Sequence, residues 1–486
     1  MSASTVLKNL TPTSIWQHFA ALCDIPRPSG YIEKISSFME AFGKKLNLTT
    51  IRDQTGNVII KKPAAVKQRQ HEKPIILQAH LDMVPQSEQG GISFNFQHNA
   101  IKPMVKGDWV TAKGTSLGAD NGIGVAIIMS ILSSHHIHHG PIEALFTVEE
   151  ETNQAGIKNL SDNVLTGDTL INIDSVSAHE LCIGSAGGVK THIIRPYLLE
   201  TVEQHDSFRL SISNLKGGHS GCDIIYNRAN AIKLLARLIY QFQVQFDVHL
   251  SSIYGGSPVY NSIPRESYAL ITVPKIKTKH LLKALSDQHK EISREYQGIE
   301  ENIEITLTPV KKISHMIERK IQKKIISALF GCPNGVIRLS KTMPGIPETS
   351  SNLSYISTQK DHLTIFGLQR SLIHSGKISI ADQIKAIFEL AGARVSQVNS
   401  FPCWLADTHS PILKKASAVY QQLFGKAPKV IAVHAGLECG FLKEKYPNLD
   451  IISIGPDIIN PHSPNEKVRI SSVEKSWNLL CAILEK

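Results

Sequence analysis

The 486-residue chain is short of cysteines, and the ones it has are not paired by spacing. Its seven, at 23, 182, 222, 332, 403, 439 and 481, are odd in number, far apart and without a CxxC step. That argues against a disulfide framework and against a cysteine-built zinc site. Long hydrophobic runs are missing too: nowhere do about 18 apolar residues follow one another, as a membrane-spanning helix needs. The first residues, MSASTVLKNLTPTSIW, lack the basic start and apolar core of a secretory signal, so a soluble cytoplasmic protein is expected. A phosphate-binding loop is also lacking, because the glycines of KGTSLGADNGIG miss both GxxxxGK[ST] and GxGxxG. No internal repeat or low-complexity tract is present.

The formal charge of +10 has no concentrated seat. KKPAAVKQR and IERKIQKK are the densest basic runs, and neither is interleaved with aromatics. They read as a solvated loop and a solvated helix face, not as a nucleic-acid surface. The excess suits attraction of small anionic groups, such as a substrate carboxylate. A hydrophobic content of 42% with 19% charged residues describes an ordinary globular protein. The length exceeds what one core usually organises, so two domains are the default.

TPTSIWQHFAALCDI reads as an amphipathic helix starting at Thr13 or Ser14, and SGYIEKISSFMEAFGKKL reads as a second. The β-type runs NVIIKK, PIILQAHL, DWVTAK, EALFTVEE and DTLINID follow, with helical stretches such as NGIGVAIIMSILSS and IKNLSDNVL between several of them. Apolar runs alternating with helices indicate an α/β unit with a largely buried sheet. After GSAGGV the pattern changes. KTHIIRPYL, SFRLSISNL, YALITVP and IEITLTPV look amphipathic and antiparallel, with helices ANAIKLLARLIYQF and KHLLKALSDQHKEISREYQ between them. The buried α/β pattern resumes near Ser400 with SPILKKASAVYQQLF, KVIAVHA, IISIGP and VEKSWNLLCAIL. The expected organisation is a first domain in two parts, 1–188 and 399–486, interrupted by an α+β domain over 189–398.

What the chain does contain is a set of hard-metal ligands, most of them where a strand ends or a helix begins. PIILQAH ends on His80, and Asp82 follows two residues later. One of the two can bind a cation while the other orients it; a core histidine beside a turn aspartate is the plainer reading of HLD alone. Asp120 precedes NGIGVAIIMSIL and fits equally as a helix N-cap or as a ligand projected by a glycine-tight turn. The triplet Glu149, Glu150 and Glu151 follows a buried strand. A solvated loop tolerates such a triplet, whereas dications nearby would turn its repulsion into attraction. Asp174 ends the run LINID, and His462 sits in a proline-bracketed loop after IISIGP. Histidine and carboxylate ligands without cysteine suit zinc, manganese or cobalt. Paired glutamates at one strand end offer a ligand and a base side by side, the equipment for splitting an amide with metal-activated water.

Two further histidine features carry less. His219 in LKGGHSG reads as a loop histidine beside flexible glycines. The cluster His135, His136, His138 and His139 has a metal-binding composition but falls at a helix exit and reads as surface.

With these residues in hand, the chain resembles the dizinc metallopeptidases that include carnosine-cleaving dipeptidases and glutamate carboxypeptidases. The likeness runs nearly end to end, through PSG, LQAHLDMVPQ, GADNGIG, TVEEE, NIDS, GSAGG, LKGGHSG, NSIPRE, CPNGVIRLS, HAGLECG and SIGPDIINPHSP. The resemblance implies a zinc-exopeptidase-like catalytic domain, with a mixed and mostly parallel sheet between helices, and an inserted lid and dimerisation domain. It implies that His80 and Asp174 complete one metal site and Glu151 and His462 the other, with Asp120 bridging two divalent ions, zinc first and manganese or cobalt as alternatives. Asp82 would orient His80, and Glu150 would be the general base, leaving Glu149 a bystander. His219 would assist oxyanion stabilisation, from its own or a partner subunit. Asn261, Arg370 and Gly436 would lie around the substrate, with Arg370 taking its terminal carboxylate. TVEEETNQAG and GCDIIYNRAN depart from the pattern, which bears on substrate preference more than on activity.

The implied activity is hydrolysis of unblocked dipeptides, those ending in histidine favoured, beta-alanyl-histidine among them. The implied assembly is a homodimer without nucleic-acid or membrane partners. The alternative enzyme is an amidohydrolase acting on N-acyl amino acids or other small amides. A metal-stabilised scaffold that has lost catalysis is a third reading, and the presence of Glu150 speaks against it.

Overall fold

The computed structural model describes residues 2–88 and 94–486. The chain divides into two compact units. The first comprises Met1–Gly184, Ala406–Ile431 and Glu438–Lys486, and the second Ser185–Leu405 with Ala432–Leu437.

The first unit is built on an eight-stranded sheet, in the order Thr49–Arg52, Val58–Lys62, Ile142–Thr147, Ile75–His80, Thr169–Asn172, Asp450–Ser453, Glu180–Ser185 and Lys429–Val433. The four middle strands, from Ile142–Thr147 to Asp450–Ser453, run parallel. Every residue of Ile142–Thr147 is buried, as is all but the first of Ile75–His80. Such two-sided burial is why these strands read as continuous apolar runs rather than alternating ones. Helix Ala119–Ser133 packs against both strand Ile75–His80 and helix Thr13–Cys23. It is therefore apolar all round, with Ile123, Val125, Ile127, Ile128 and Ile131 buried. Helix Pro411–Phe424 is punctuated as its sequence suggests: Ser410 accepts the Leu413 N–H, Pro411 opens the first turn, and Gly425 at φ 70° closes the last.

Three expectations need correction here. Of IKNLSDNVL only Ile157 and Lys158 are helical, at the end of the short helix Ala155–Lys158; the rest is irregular, with Asn163 at φ 64°. DWVTAK does not join the main sheet: Trp109–Ala112 lies in a separate four-stranded sheet with Pro103–Lys106, Lys467–Arg469 and Ile458–Ile459. In the four-histidine cluster, His139 is fully buried, its Nδ1 2.6 Å from the Gly140 carbonyl oxygen.

The second unit carries a nine-stranded antiparallel sheet with Glu304–Pro309 at one edge and Arg394–Phe401 at the other. Helices Ala231–Gln245, Arg319–Gly331 and His374–Leu390 supply Leu235, Ile239, Phe242, Ile325 and Phe388 to its core, where Ile193, Leu210 and Ile271 of the strands also lie. Among the described residues, no helix is long and apolar enough to cross a membrane.

Candidate functional site

The parallel arrangement decides where the acidic residues and histidines fall. Side chains that follow the carboxyl ends of neighbouring parallel strands collect along one edge of the sheet. His80 is the last residue of its strand, Asp174 follows Asn172 by two, and Glu150 and Glu151 follow Thr147 by three and four. His462 lies in the loop beyond Asp450–Ser453, at φ 60°.

Asp120 stands between two histidines. Its Oδ1 is 3.2 Å from His80 Nε2, and its Oδ2 is 3.2 Å from His462 Nε2. Each ring has a second carboxylate: Asp174 lies 3.4 Å from His80 Nε2, and Glu151 lies 2.9 Å from His462 Nε2. Ligand atoms of His80, Asp120 and Glu151 all fall within 4.8 Å of one another. This donor set of imidazole nitrogens and carboxylate oxygens fits hard or borderline divalent cations.

The N-cap reading of Asp120 does not hold. Asp120 and Asn121 both have non-helical angles, −82° and 109° and −107° and 30°, so the regular helix starts after them, and the Asp120 carboxylate is turned to His80 and His462 instead of to a helix N–H. Its backbone is held from outside: Glu466 accepts the N–H groups of Leu117 and Gly118 on Oε2 and that of Asp120 on Oε1, at 2.8, 2.9 and 3.1 Å. Arg27, buried, ties this turn to the strand end by donating to the carbonyls of Leu81 and Gly118.

Asp82 differs in detail from what HLD implied. His80 Nδ1 is 3.1 Å from the Asp82 carbonyl oxygen but 3.6 Å from its carboxylate. The carboxylate accepts the Glu150 N–H at 3.1 Å, the Glu151 N–H at 3.3 Å and the Ser29 hydroxyl at 2.7 Å. It organises the acidic loop at least as much as the ring. Glu149 is engaged elsewhere, accepting the Gly30 N–H and the Thr152 hydroxyl, both at 2.7 Å.

Crowding of buried carboxylates sets the proton affinities. Burial draws His80 toward the neutral ring, yet Asp174, Asp120 and Asp82 outweigh it and hold His80 well above the usual histidine value. Burial likewise opposes His462, and hydrogen bonds to Asp120 and Glu151 push it up to about 11. Asp174 rises to about 6, chiefly through burial, against the pull of His80. Glu150 is raised well above its ordinary value, mainly by burial, with Glu151, Asp174 and Glu438 adding to it against His80.

Sequence reasoning missed the layer beneath. Glu438 is 1% exposed, and its Oε2 accepts from Gln78 Nε2 at 2.6 Å and from the Thr147 hydroxyl at 2.5 Å. Asn172 Nδ2 in turn donates to Gln78 Oε1 at 2.5 Å. Gln78, Thr147 and Asn172 belong to the three strands that end in His80, the glutamates and Asp174. The only signal for Glu438 was a carboxyl set between Leu437 and Cys439 in HAGLECG.

The four remaining residues belong to the second unit. His219 Nε2 lies 3.2 Å from the Asn261 side-chain amide. Arg370, 5% exposed, sits with its guanidinium carbon 5.7 Å from the Phe401 ring centre, and a side chain at Gly436 would meet the same ring at 3.0 Å. Arg370 Nε and Nη1 are buried without a hydrogen-bond partner among the described residues.

Residues 76–486 match peptidase family M20/M25/M40, and the chain belongs to this family. It is 38% identical over 485 residues, 99% of each chain, to the cytosol non-specific dipeptidase of Escherichia coli K12. Among solved structures it is similar to aminoacylhistidine dipeptidase from Vibrio alginolyticus, with TM-score 0.89 and 38% identity over 99% of this chain and 97% of that one. Aminopeptidase PepT from Bacillus cereus shares the fold at TM-score 0.61 and 18% identity, covering 98% of both chains. The fold is that of an M20 metallopeptidase, mixed α/β as the sequence implied.

Proposed function

We propose that the protein is a dinuclear metal dipeptidase that cleaves unblocked dipeptides, those ending in histidine among the preferred ones. The division of the two Asp120 oxygens between two histidine–carboxylate pairs carries this reading. In it, His80 and Asp174 would hold one ion and Glu151 and His462 the other, with Asp120 a ligand common to both. Zinc suits the donors best, with manganese and cobalt as substitutes. The names of the Escherichia coli and Vibrio relatives support a dipeptide substrate, and the latter supports histidine at its second position. The former name also supports a cytosolic place of action.

Bound in this centre, two such cations would supply a water of lowered pKa and polarise the scissile carbonyl. Glu150 then acts as the general base. It is buried, its backbone is fixed by Asp82, and its raised proton affinity suits a group that takes the water's proton and passes it to the leaving nitrogen. Asp82 positions both His80 and the loop that carries Glu150 and Glu151. His219 is assigned to stabilising the developing oxyanion, and Asn261 and Gly436 to contacts with the substrate. Arg370 is assigned to the substrate's terminal carboxylate, which would satisfy its two unpartnered nitrogens with charge-assisted bonds. The second unit is assigned the roles of lid and dimer contact.

The test is a release assay on a dipeptide panel that includes beta-alanyl-histidine and N-acetylated counterparts, run after chelation and again after metal re-addition. The reading expects cleavage of free dipeptides restored by zinc, manganese or cobalt. Preference for the acetylated set would instead favour an amidohydrolase, and full activity after exhaustive chelation would sink the metal mechanism. Sedimentation of the purified protein tests the dimer.

A further inference from the structure

The loop around His219 fixes which ring nitrogen carries the proton. The backbone N–H groups of Gly221 and Cys222 both point at His219 Nδ1, at 3.2 and 3.1 Å. A main-chain N–H cannot reverse its role, so Nδ1 must be the acceptor and the ring proton must sit on Nε2. The Asn261 amide, 3.2 Å from Nε2, can reverse, because its two ends interchange by a flip; with the proton on Nε2 its oxygen is the partner.

The turn that aims those two amides is closed by side chains with no other evident duty. Asp223 Oδ2 accepts the His219 N–H at 2.8 Å, while the Asp223 N–H donates to the His219 carbonyl at the same distance. Arg228 pairs with the other Asp223 oxygen at 3.1 Å and donates to the Gly217 carbonyl at 2.6 Å. Buried Glu300 staples the base of the loop, accepting the Lys216 and Ala229 N–H groups at 2.8 and 3.1 Å. Gly221 lies against the ring itself: a side chain there would come within 2.9 Å of His219 Cε1.

We propose that the segment from Gly217 to Arg228 is a tautomer lock holding His219 as the Nε2–H donor, with Asp223 and Arg228 as its positioning residues. The proposal rests on the reading of His219 as the oxyanion donor and extends it. An oxyanion needs a fixed N–H, and an imidazole free to exchange tautomers offers one for only part of the time. The lock would keep the donor in place without a positive charge on the ring.

The test combines a spectrum with kinetics on the full-length, metal-loaded protein. Nitrogen-15 histidine spectra, with His219 assigned by its loss in His219→Gln, should show a protonated Nε2 and an unprotonated Nδ1. Arg228→Gln and Asp223→Asn should mix the tautomers and lower kcat about ten- to a hundredfold, the order expected when a reacting group is misplaced. KM and bound metal should stay near wild type, and Arg228→Lys should recover part of the loss. If Arg228→Gln fails to fold, Arg228→Lys and Asp223→Asn carry the same comparison. A proton on Nδ1 in the wild type overturns the lock, as do variants with unchanged tautomer and unchanged kcat. Failure of the underlying reading looks different: His219→Gln would then keep its kcat while the wild-type spectrum still showed Nε2–H.

Discussion

His80 turns its Nδ1 to the backbone carbonyl of Asp82 at 3.1 Å, leaving the Asp82 carboxylate 3.6 Å away and bonded to the Glu150 and Glu151 amides instead. Asp82→Asn should therefore weaken the Glu151–His462 half of the centre more than the His80–Asp174 half. The expected loss is 10–100-fold in affinity for one of two ions, the usual size for an outer partner of a ligand. Chelator competition resolving two binding steps checks this. Selective loss at the His80 half would show that the carboxylate works through the ring after all.

Glu150→Ala should retain two metal equivalents while turnover falls about 10²–10⁴-fold, the span of a lost general base. Metal content by elemental analysis and kcat on beta-alanyl-histidine give the answer. A nearly normal rate would rule Glu150 out and direct attention to its neighbours in the triplet.

Glu466→Ala should leave the Leu117, Gly118 and Asp120 amides without their shared acceptor. Orphaned buried donors cost about 1–3 kcal/mol each, so a fall of at least a few kcal/mol is expected in denaturant unfolding. Because Asp120 is the bridge in the proposed centre, metal affinity should fall with it. A stable variant with intact metal binding would mean that the turn needs no outside support.

Glu438 sets a pH dependence with a definite sign. Burial raises its carboxyl to about 8 from the ordinary 4.5, so the folded chain keeps a proton that the unfolded chain has released. The stability tied to that proton is complete below 4.5 and is lost as pH rises through about 8. Glu438→Gln keeps an acceptor for Gln78 and Thr147 without the titration. Metal-free wild type should lose stability relative to Glu438→Gln between about pH 5 and about pH 9. Parallel melting curves across that range would refute it.

Metal loading should release protons. Before a cation arrives, His462 is pushed up to about 11 by Asp120 and Glu151, against the opposing effect of burial, and is charged at neutral pH. A ligating imidazole must be neutral, so apparent affinity should rise with pH. Calorimetry in two buffers of different ionisation enthalpy counts the protons; a count near zero contradicts the expectation.

Much of this architecture was legible because strands buried on both faces read as apolar runs, and the residues after them fall on one edge by geometry alone. PIILQAH, EALFT and LINI announce His80, the glutamates and Asp174 in that way. The supports were not legible. Arg27, Glu438 and Glu466 act on backbone groups or side chains distant in sequence, and such bonds leave no periodic trace. The helix expected over IKNLSDNVL is not formed although Ile157, Leu160 and Leu165 are buried and helically spaced: helical structure stops at Lys158, and Asn163 further on is left-handed.

The parallel pairing of Asp450–Ser453 with Thr169–Asn172 joins segments separated by the entire second unit. Contacts that distant along the chain form late, and during synthesis the intervening domain can settle first. His462 lies beyond both strands, so the proposed centre draws on segments that precede and follow that intervening unit in the chain.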